Sequence, residues 1–290
     1  MNYILLLLCV ELSISAGNKI VYLISPPRNL STACMRMFQE RGDFAIINEP
    51  AWYAYNLLMY PYEQIKDQIK PEFPISYPDI IQMVLEKAQT SHVLVKEISF
   101  AVEPFLLCDQ LLIKNSDVHF VFLIRNPHSA LISFAKKRFR EVPLQKFGYR
   151  ACYLLFEKIK AEGANPPLII CAEELGRYPE LIVPALCLCI GIPHVPESLC
   201  WADLGNDFTG CQWHERKDRN YLYHWHDAAI HSTGFTPLTN YAVDAQGNPT
   251  FQEVAAQDLN EVVAMYNVMF PYYQALLQEV DYRITIIKNS

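Results

Sequence analysis

The sequence predicts an α/β fold, a three-layer parallel sheet flanked by helices on both faces, followed by an α-rich carboxyl-terminal cap. Two observations predict it. Short apolar runs, rich in β-branched and aromatic residues, recur up to about residue 193, and their hydrophobicity is too continuous for strands with one wet face. Between them lie segments with apolar residues at helical spacing, and strands that alternate with helices pair in parallel through helical crossovers.

The first run, KIVYLI from Lys19, reads as a buried strand. The stretch SPPRNLSTA then leads into a helix over STACMRMFQER, which stops at Gly42. FAIINEP is a second short strand that ends at Glu49 and is closed by Pro50. The aromatic, proline-rich stretch from Trp52 to Pro78 reads as a substrate-side insertion rather than core. YPDIIQMVLEKAQ has helical periodicity and an Asp cap, and SHVLVKEISF is a third strand. PFLLCDQLLIKNS is a helix leading into VHFVFLIRNP, a fourth strand that ends at Arg125. HSALISFAKKRFREV and FGYRACYLLFEKIKAEG are helical, PLIICAEEL is a fifth strand, and YPELIVPALCLCIGIP is an apolar helix ended by Gly191 and Pro193. Beyond Glu197 the pattern weakens to a hairpin around Gly247 and Asn248 and a terminal helix over DLNEVVAMYNVMFPYYQALLQEV. The expected division is an extension over residues 1–18, an α/β core over 19–196 and a cap or lid over 197–290 within the same domain.

With 290 residues, 51% hydrophobic and 19% charged, the chain has enough apolar material for one large domain. A net charge of -7 and a pI of about 5.6 argue against a general nucleic-acid binder, so any anion site must be a local concentration of Arg and Lys. Nine cysteines, at 9, 34, 108, 152, 171, 187, 189, 200 and 211, form no C-x-x-C pair and lie mostly in apolar segments. They read as buried thiols of a cytoplasmic protein rather than a disulfide framework or zinc site. The apolar YILLLLCV, with Ser13 and Ser15 before Ala16, leaves a cleaved signal and the secretory pathway as the alternative, although no Lys or Arg precedes it and Glu11 interrupts it. This run falls short of the ~20 residues a membrane-spanning helix needs, so no transmembrane anchor is expected.

Open parallel sheets bind ligands outside the carboxyl ends of their strands. Four polar markers fall there: the Arg28 loop, Glu49, Lys96 and Arg125. A strand, tight turn and helix start leave backbone N–H groups at the helix N-terminus, where the helix dipole favours an anion. The Arg28 loop is therefore built like a phosphate cradle. It lacks the G-x-x-x-x-G-K-[ST] pattern, with prolines in place of glycines and Arg28 where a phosphate-binding lysine would stand. Arginine is a fixed, bidentate cation for paired phosphate or sulfuryl oxygens. In FVFLIRNPHSALISF, Arg125 at a strand end and Ser133 in the next helix can grip one phosphate from two sides.

With SPPRNLSTA, RNPHSALIS and CAEELGRYPELIVPALCLCIGIP in this order, the sequence resembles the sulfotransferases that use 3'-phosphoadenosine 5'-phosphosulfate (PAPS), over roughly residues 19 to 193. In that family a strand-loop-helix near the amino-terminus binds the 5'-phosphosulfate, and a later R-x-P-x5-S segment binds the 3'-phosphate. The resemblance implies a P-loop NTPase-like fold with PAPS as co-substrate and no metal. It also implies transfer to a hydroxyl or amine of a small-molecule, carbohydrate or peptide acceptor, with no nucleic-acid partner. On the same ground Arg28, Asn29, Leu30, Ser31 and Thr32 would wrap the 5'-phosphosulfate, and Arg125 and Ser133 would hold the 3'-phosphate. Lys136, Lys137, Arg138 and Arg140 either add positive field there or form a solvated helix face.

The acceptor must lose a proton as it attacks sulfur, which requires a general base. Cytosolic members of the family take a histidine from K-T-H after the third strand, whereas VKEISF has Lys96 at the lysine position and Ile98 at that of the histidine. Other branches use a glutamate ending the second strand, which Glu49 matches. Glu49 is the expected base, Glu97 and His92 are alternatives, and strand alternation lets only one of Lys96 and Glu97 face the site. Arg28 and Lys96 would stabilise charge on the departing phosphate. Cytosolic members close over the nucleotide with R-K-G-x-x-G, for which HERKDRNYLYHW offers Arg216, Lys217 and Arg219 without the glycines. His224, His226 and His231, with H-x-H at strand spacing, read as structural or substrate-side rather than metal ligands. Aromatics from Trp52 to Tyr62 either stack on an acceptor or pack beneath the insertion. Two rival readings are a nucleotide kinase of related fold, whose Lys-Ser/Thr pair and Mg2+ ligands this loop lacks, and a non-catalytic binding module.

Overall fold

The computed structural model describes residues 17–66, 73–138, 147–205, 219–239 and 241–280. The expectations for residues 1–16, Arg140, Arg216 and Lys217, and for the side chains of Lys137, Arg138, Arg219 and His224, lie outside what it describes.

Five strands form the sheet: β1 (Ile20–Ser25), β2 (Phe44–Asn48), β3 (His92–Ile98), β4 (Val118–Ile124) and β5 (Leu168–Cys171). All pair in parallel in the order β2-β3-β1-β4-β5. Alternation along β1 sends Ile20, Tyr22 and Ile24 into one core and Val21 and Leu23 into the other. The first core is roofed by α4 (Tyr77–Ala88), α5 (Ser99–Leu106), α7 (Pro127–Arg138), α8 (Tyr149–Glu162) and α12 (Leu259–Gln278). Against the second pack α1 (Ser31–Glu40), α9 (Ala172–Arg177) and α10 (Pro179–Ile190), together with Ile230 at the end of α11 (Arg219–Ile230). Burial on both faces explains why the strands lack polar alternation.

Several local details differ from the sequence reading. The stretch after Trp52 is not merely an insertion: α2 (Ala51–Met59) buries Ala51, Tyr53 and Ala54, and a short α3 (Tyr62–Ile65) follows. Ser76, not an aspartate, caps α4, accepting from the Asp79 N–H at 3.3 Å. The single helix expected over PFLLCDQLLIKNS is two, α5 and α6 (Gln110–Ile113), because the Asp109 side chain accepts from the Leu112 N–H and starts a new helix. β5 stops at Cys171, and the AEEL that seemed to extend it opens α9 instead. The expected hairpin is a tight loop closed by a single antiparallel bridge, Val243 to Pro249, with Gly247 at φ 83° where an L side chain would be strained.

Among the described cysteines, Cys34, Cys152, Cys171 and Cys187 are buried, whereas Cys108 and Cys200 are exposed. No described helix is long and apolar enough to cross a membrane. The strand order matters most for the site. It sets the carboxyl ends of β2, β3, β1 and β4 side by side, so Glu49, Lys96, the Arg28 loop and Arg125 follow one another along one edge of the sheet.

Candidate active site

A cavity of about 900 Å3 opens at this edge. Its wall includes Arg28, Asn29, Leu30, Ser31 and Thr32 from the loop after β1, and Arg125 and Ser133 from the segment after β4. Glu49 and Lys96 close the same cavity from the ends of β2 and β3. Every residue expected to bind a cofactor or take part in catalysis therefore faces one space.

The loop is held in a costly conformation. Arg28 (φ 67°), Leu30 (φ 69°) and Glu49 (φ 53°) are the described non-glycine residues with positive φ, and all three line the cavity. A left-handed backbone costs a non-glycine residue roughly 1–3 kcal/mol and persists where the surroundings over-determine it. Here they do. Asn29 is fully buried and donates to the Leu123 carbonyl at 3.2 Å, while its Oδ1 lies 3.3 Å from the Tyr149 hydroxyl. Leu30 caps α1 without a side-chain hydrogen bond, and no acidic residue occupies the first turn, so the helix N-terminus offers its dipole to the cavity.

Two guanidiniums, that of Arg125 buried and that of Arg28 half-buried, stand beside that N-terminus. Arg28 Nε donates to Ser133 Oγ at 3.2 Å and its Nη1 to the Trp225 carbonyl at 2.7 Å. Arg125 Nη1 donates to the Arg28 carbonyl at 3.0 Å, and the Tyr149 hydroxyl donates to the Arg125 carbonyl at 2.7 Å. Burial lowers the pKa of both arginines; Arg125 lowers that of Arg28 further, whereas Asp227 opposes the shift on Arg28 and Glu173 that on Arg125. The buried Arg125 Nε has no hydrogen-bond partner among the described residues. Paired cations, one of them buried, favour a ligand of more than one negative charge, and a nucleotide carrying separate phosphate groups fits that donor set.

The opposite end of the cavity is an ion pair. Glu49 N–H donates to the Lys96 carbonyl at 2.6 Å, and Lys96 Nζ bonds the Glu49 carboxylate. The side chain of Lys96 is 3% exposed and that of Glu49 20%, so the carboxylate is the partner that reaches the open space. Glu97 points to the other face of β3, where its Oε1 accepts from the Ala51 N–H at 3.0 Å and caps α2. His92 opens β3 at the far end of the sheet and lies 2.8 Å from the Lys19 N–H. Neither alternative base lines the cavity.

Part of the wall was not legible as such. α11 is a helix rather than the strand assumed for H-x-H, and it lays Trp225, His226, Ala228 and Ala229 along the cavity. His226 Nδ1 lies 3.1 Å from Thr32 Oγ1. One turn along α1, the buried Arg36 donates to the carbonyls of Ala229, Ile230 and Ser232 at 2.6, 3.1 and 3.2 Å, and to that of Ala202 at 2.5 Å. A cation at the end of α11 satisfies its last carbonyls and fastens it to the helix that begins at the loop. The i, i+4 spacing of Thr32 and Arg36 is the one sequence signal for this face. His231 lies outside the cavity wall, 3.1 Å from Asp203, and no His/Cys/Asp/Glu cluster suited to a metal occurs among the described residues. Lys136 is exposed and sits over the Tyr241 ring at 4.9 Å.

Comparison with known proteins places this geometry in context. A family model described as a sulfotransferase domain matches residues 19–271. Two Arabidopsis thaliana relatives, branched-chain-amino-acid aminotransferase-like proteins 2 and 1, are 24% and 25% identical to the chain over 254 and 229 residues. The matches span 87% and 78% of this chain but 41% and 38% of theirs, about two fifths of the relatives' length. Among solved structures, the sulfotransferase domain of the curacin biosynthetic pathway aligns with a TM-score of 0.47 at 14% identity, over 86% of this chain and 98% of its own. That of the Synechococcus PCC 7002 olefin synthase aligns with a TM-score of 0.48 at 16% identity, over 87% and 94%.

Proposed function

The chain belongs to the sulfotransferase domain family, and from that premise we propose that it transfers a sulfuryl group from PAPS to an acceptor hydroxyl or amine, with Glu49 as general base. The observation that supports this reading most is Arg125, a buried cation whose Nε is unsatisfied among the described residues, beside Arg28 and Ser133 at the N-terminus of α1. Arg125 and Ser133 are suited to a 3'-phosphate. The α1 amides and Arg28 suit the 5'-phosphosulfate. Bound there, PAPS supplies a sulfur joined to a phosphate leaving group.

The chain's own residues then divide the work. Glu49 takes the proton of the acceptor as its oxygen or nitrogen bonds to sulfur and the bond from sulfur to the phosphate oxygen breaks. Lys96, next to Glu49, and Arg28 stabilise the negative charge that collects on the departing phosphate. Trp225 and His226 of α11, with Thr236, Leu238 and Tyr241, line the cavity and limit water, the competing acceptor. The proposed division of the chain keeps 19–196 as the donor-binding core and 197–290 as the part that covers it, in a cytoplasmic or secretory setting. A kinase reading gives Arg125 and Ser133 on one cavity wall no purpose. No activity follows from the names of the Arabidopsis relatives, since about two fifths of their length is matched.

The test is release of 3',5'-adenosine bisphosphate from PAPS by the purified full chain with a mixed panel of phenols, alcohols and amines. Acceptor-dependent release that Glu49→Gln abolishes is expected; release by the variant at the wild-type rate would exclude Glu49 as base.

A further inference from the structure

We infer that the acceptor is an aromatic hydroxyl compound, a phenol or fused-ring alcohol, bound against a wall formed by Trp52, Ile98 and Phe100. This rests on the sulfotransferase reading of the same cavity. The wall follows from the strand order. β2 and β3 are neighbours at one side of the sheet, so the residues that leave their carboxyl ends stand together and away from Arg125 on β4.

Trp52 lies one turn past Glu49, donating its N–H to the Glu49 carbonyl at 3.1 Å, and its half-buried ring lines the cavity. Ile98 is two residues beyond Lys96, on the same face of β3, and Phe100 opens α5 just after it. Trp52 meets Phe100 edge to face at 5.8 Å and 75°. Phe100 is braced from behind by Tyr55, at 5.4 Å and 75°, and the four residues pack in one cluster. The rings are thus fixed before any ligand arrives, and a flat apolar body can stack on one of them and meet the other edge-on at little entropic cost.

The polar inventory of this end points the same way. Arg28 and Arg125 are committed to the donor's phosphates, and in the stretch of chain from Glu49 to Phe100 the lining side chains besides the Glu49–Lys96 pair are Trp52, Ile98 and Phe100, while hydroxyl and imidazole side chains of the cavity such as Thr32 and His226 come from α1 and α11. A sugar ring needs several converging side-chain donors and acceptors, and an ionic peptide needs opposite charge; Trp52, Ile98 and Phe100 offer neither. One acidic oxygen on an apolar plate matches it: the plate stacks and the hydroxyl meets Glu49.

The experiment compares 2-naphthol, n-octanol and methyl β-galactoside as acceptors with saturating PAPS, and measures bisphosphate affinity on the same preparation. The expected kcat/KM for 2-naphthol exceeds those of the other two by about a hundredfold. Trp52→Ala should raise the KM for 2-naphthol by about tenfold and leave the KM for PAPS within about twofold, because an aromatic contact is worth roughly a factor of ten. Trp52→Phe should recover most of that loss, which a fold defect would not allow. Equal or better transfer to octanol or the galactoside, or an unaltered naphthol KM in Trp52→Ala, would overturn the inference and leave the sulfotransferase reading standing. Absence of bisphosphate binding would overturn both.

Discussion

The two ends of the cavity are built on opposite principles. At the Arg28–Arg125 end, Arg125 is buried and Arg28 half-buried, the backbone is bent into left-handed conformations, and Asn29 and Tyr149 fix the loop by side-chain hydrogen bonds. At the Glu49 end there is one ion pair on an apolar, aromatic wall. Under the proposed function the difference has a physical reason. A multiply charged ligand requires fixed donors assembled at an energetic cost, whereas a neutral acceptor requires shape and one proton acceptor.

The sharpest way to break the contrast is to remove chemistry from one end without touching binding at the other. Glu49→Gln should lower kcat by about 10^2 to 10^4, the usual weight of a general base, with bisphosphate affinity nearly unchanged in calorimetry. A variant that lost affinity and rate together would show that the ends are not separable. The converse substitution, Arg125→Ala, should weaken 3',5'-adenosine bisphosphate by about a hundredfold, since a charge-assisted contact contributes roughly 1.5–3 kcal/mol, and leave 5'-AMP unaffected.

A third substitution tests what fastens α11 across both ends. Arg36→Met removes the buried donors to four carbonyls and should cost about 2 kcal/mol in urea unfolding, with weaker bisphosphate binding as a secondary effect. The smallest effect lies away from the cavity. Burial lowers the His119 imidazole to about 4, with Lys19 adding to the shift and Asp117 opposing it, and its Nε2 has no partner. In the unfolded chain this group takes its proton near 6.5. Between those two pH values the unfolded state binds more protons, so His119 makes stability fall as pH drops through that window and adds nothing above it. His119→Val should flatten this part of the stability profile relative to the wild type.

The Arg28–Arg125 end was the more legible of the two in the sequence. SPPRNLSTA and RNPHSALIS each place their cation beside a strand end and a helix start, and local order alone is enough to read that. Glu49 and Lys96 were found the same way, from strand ends. What could not be read depends on tertiary partners. Tyr149 looks like an ordinary start to an amphipathic helix until its hydroxyl meets Arg125. α11 has no clear periodicity in RNYLYHWHDAAI, and its position is set by Arg36, far away in the chain. The break between α5 and α6 turned on one capping bond of Asp109, and the end of β5 on whether AEEL continued a strand or began a helix. Ser76 and Asp79 were both competent caps three residues apart, and they bond each other.

The central claim is that Arg28, Arg125 and the N-terminus of α1 form a site for a nucleotide with a 3'-phosphate. Calorimetric titration of the full chain with 3',5'-adenosine bisphosphate, beside ATP with Mg2+, tests it directly in wild type and Arg125→Ala. The account predicts one site that prefers the bisphosphate, with about a hundredfold loss in the variant. Tighter binding of ATP with Mg2+, or bisphosphate binding indifferent to Arg125, would contradict it.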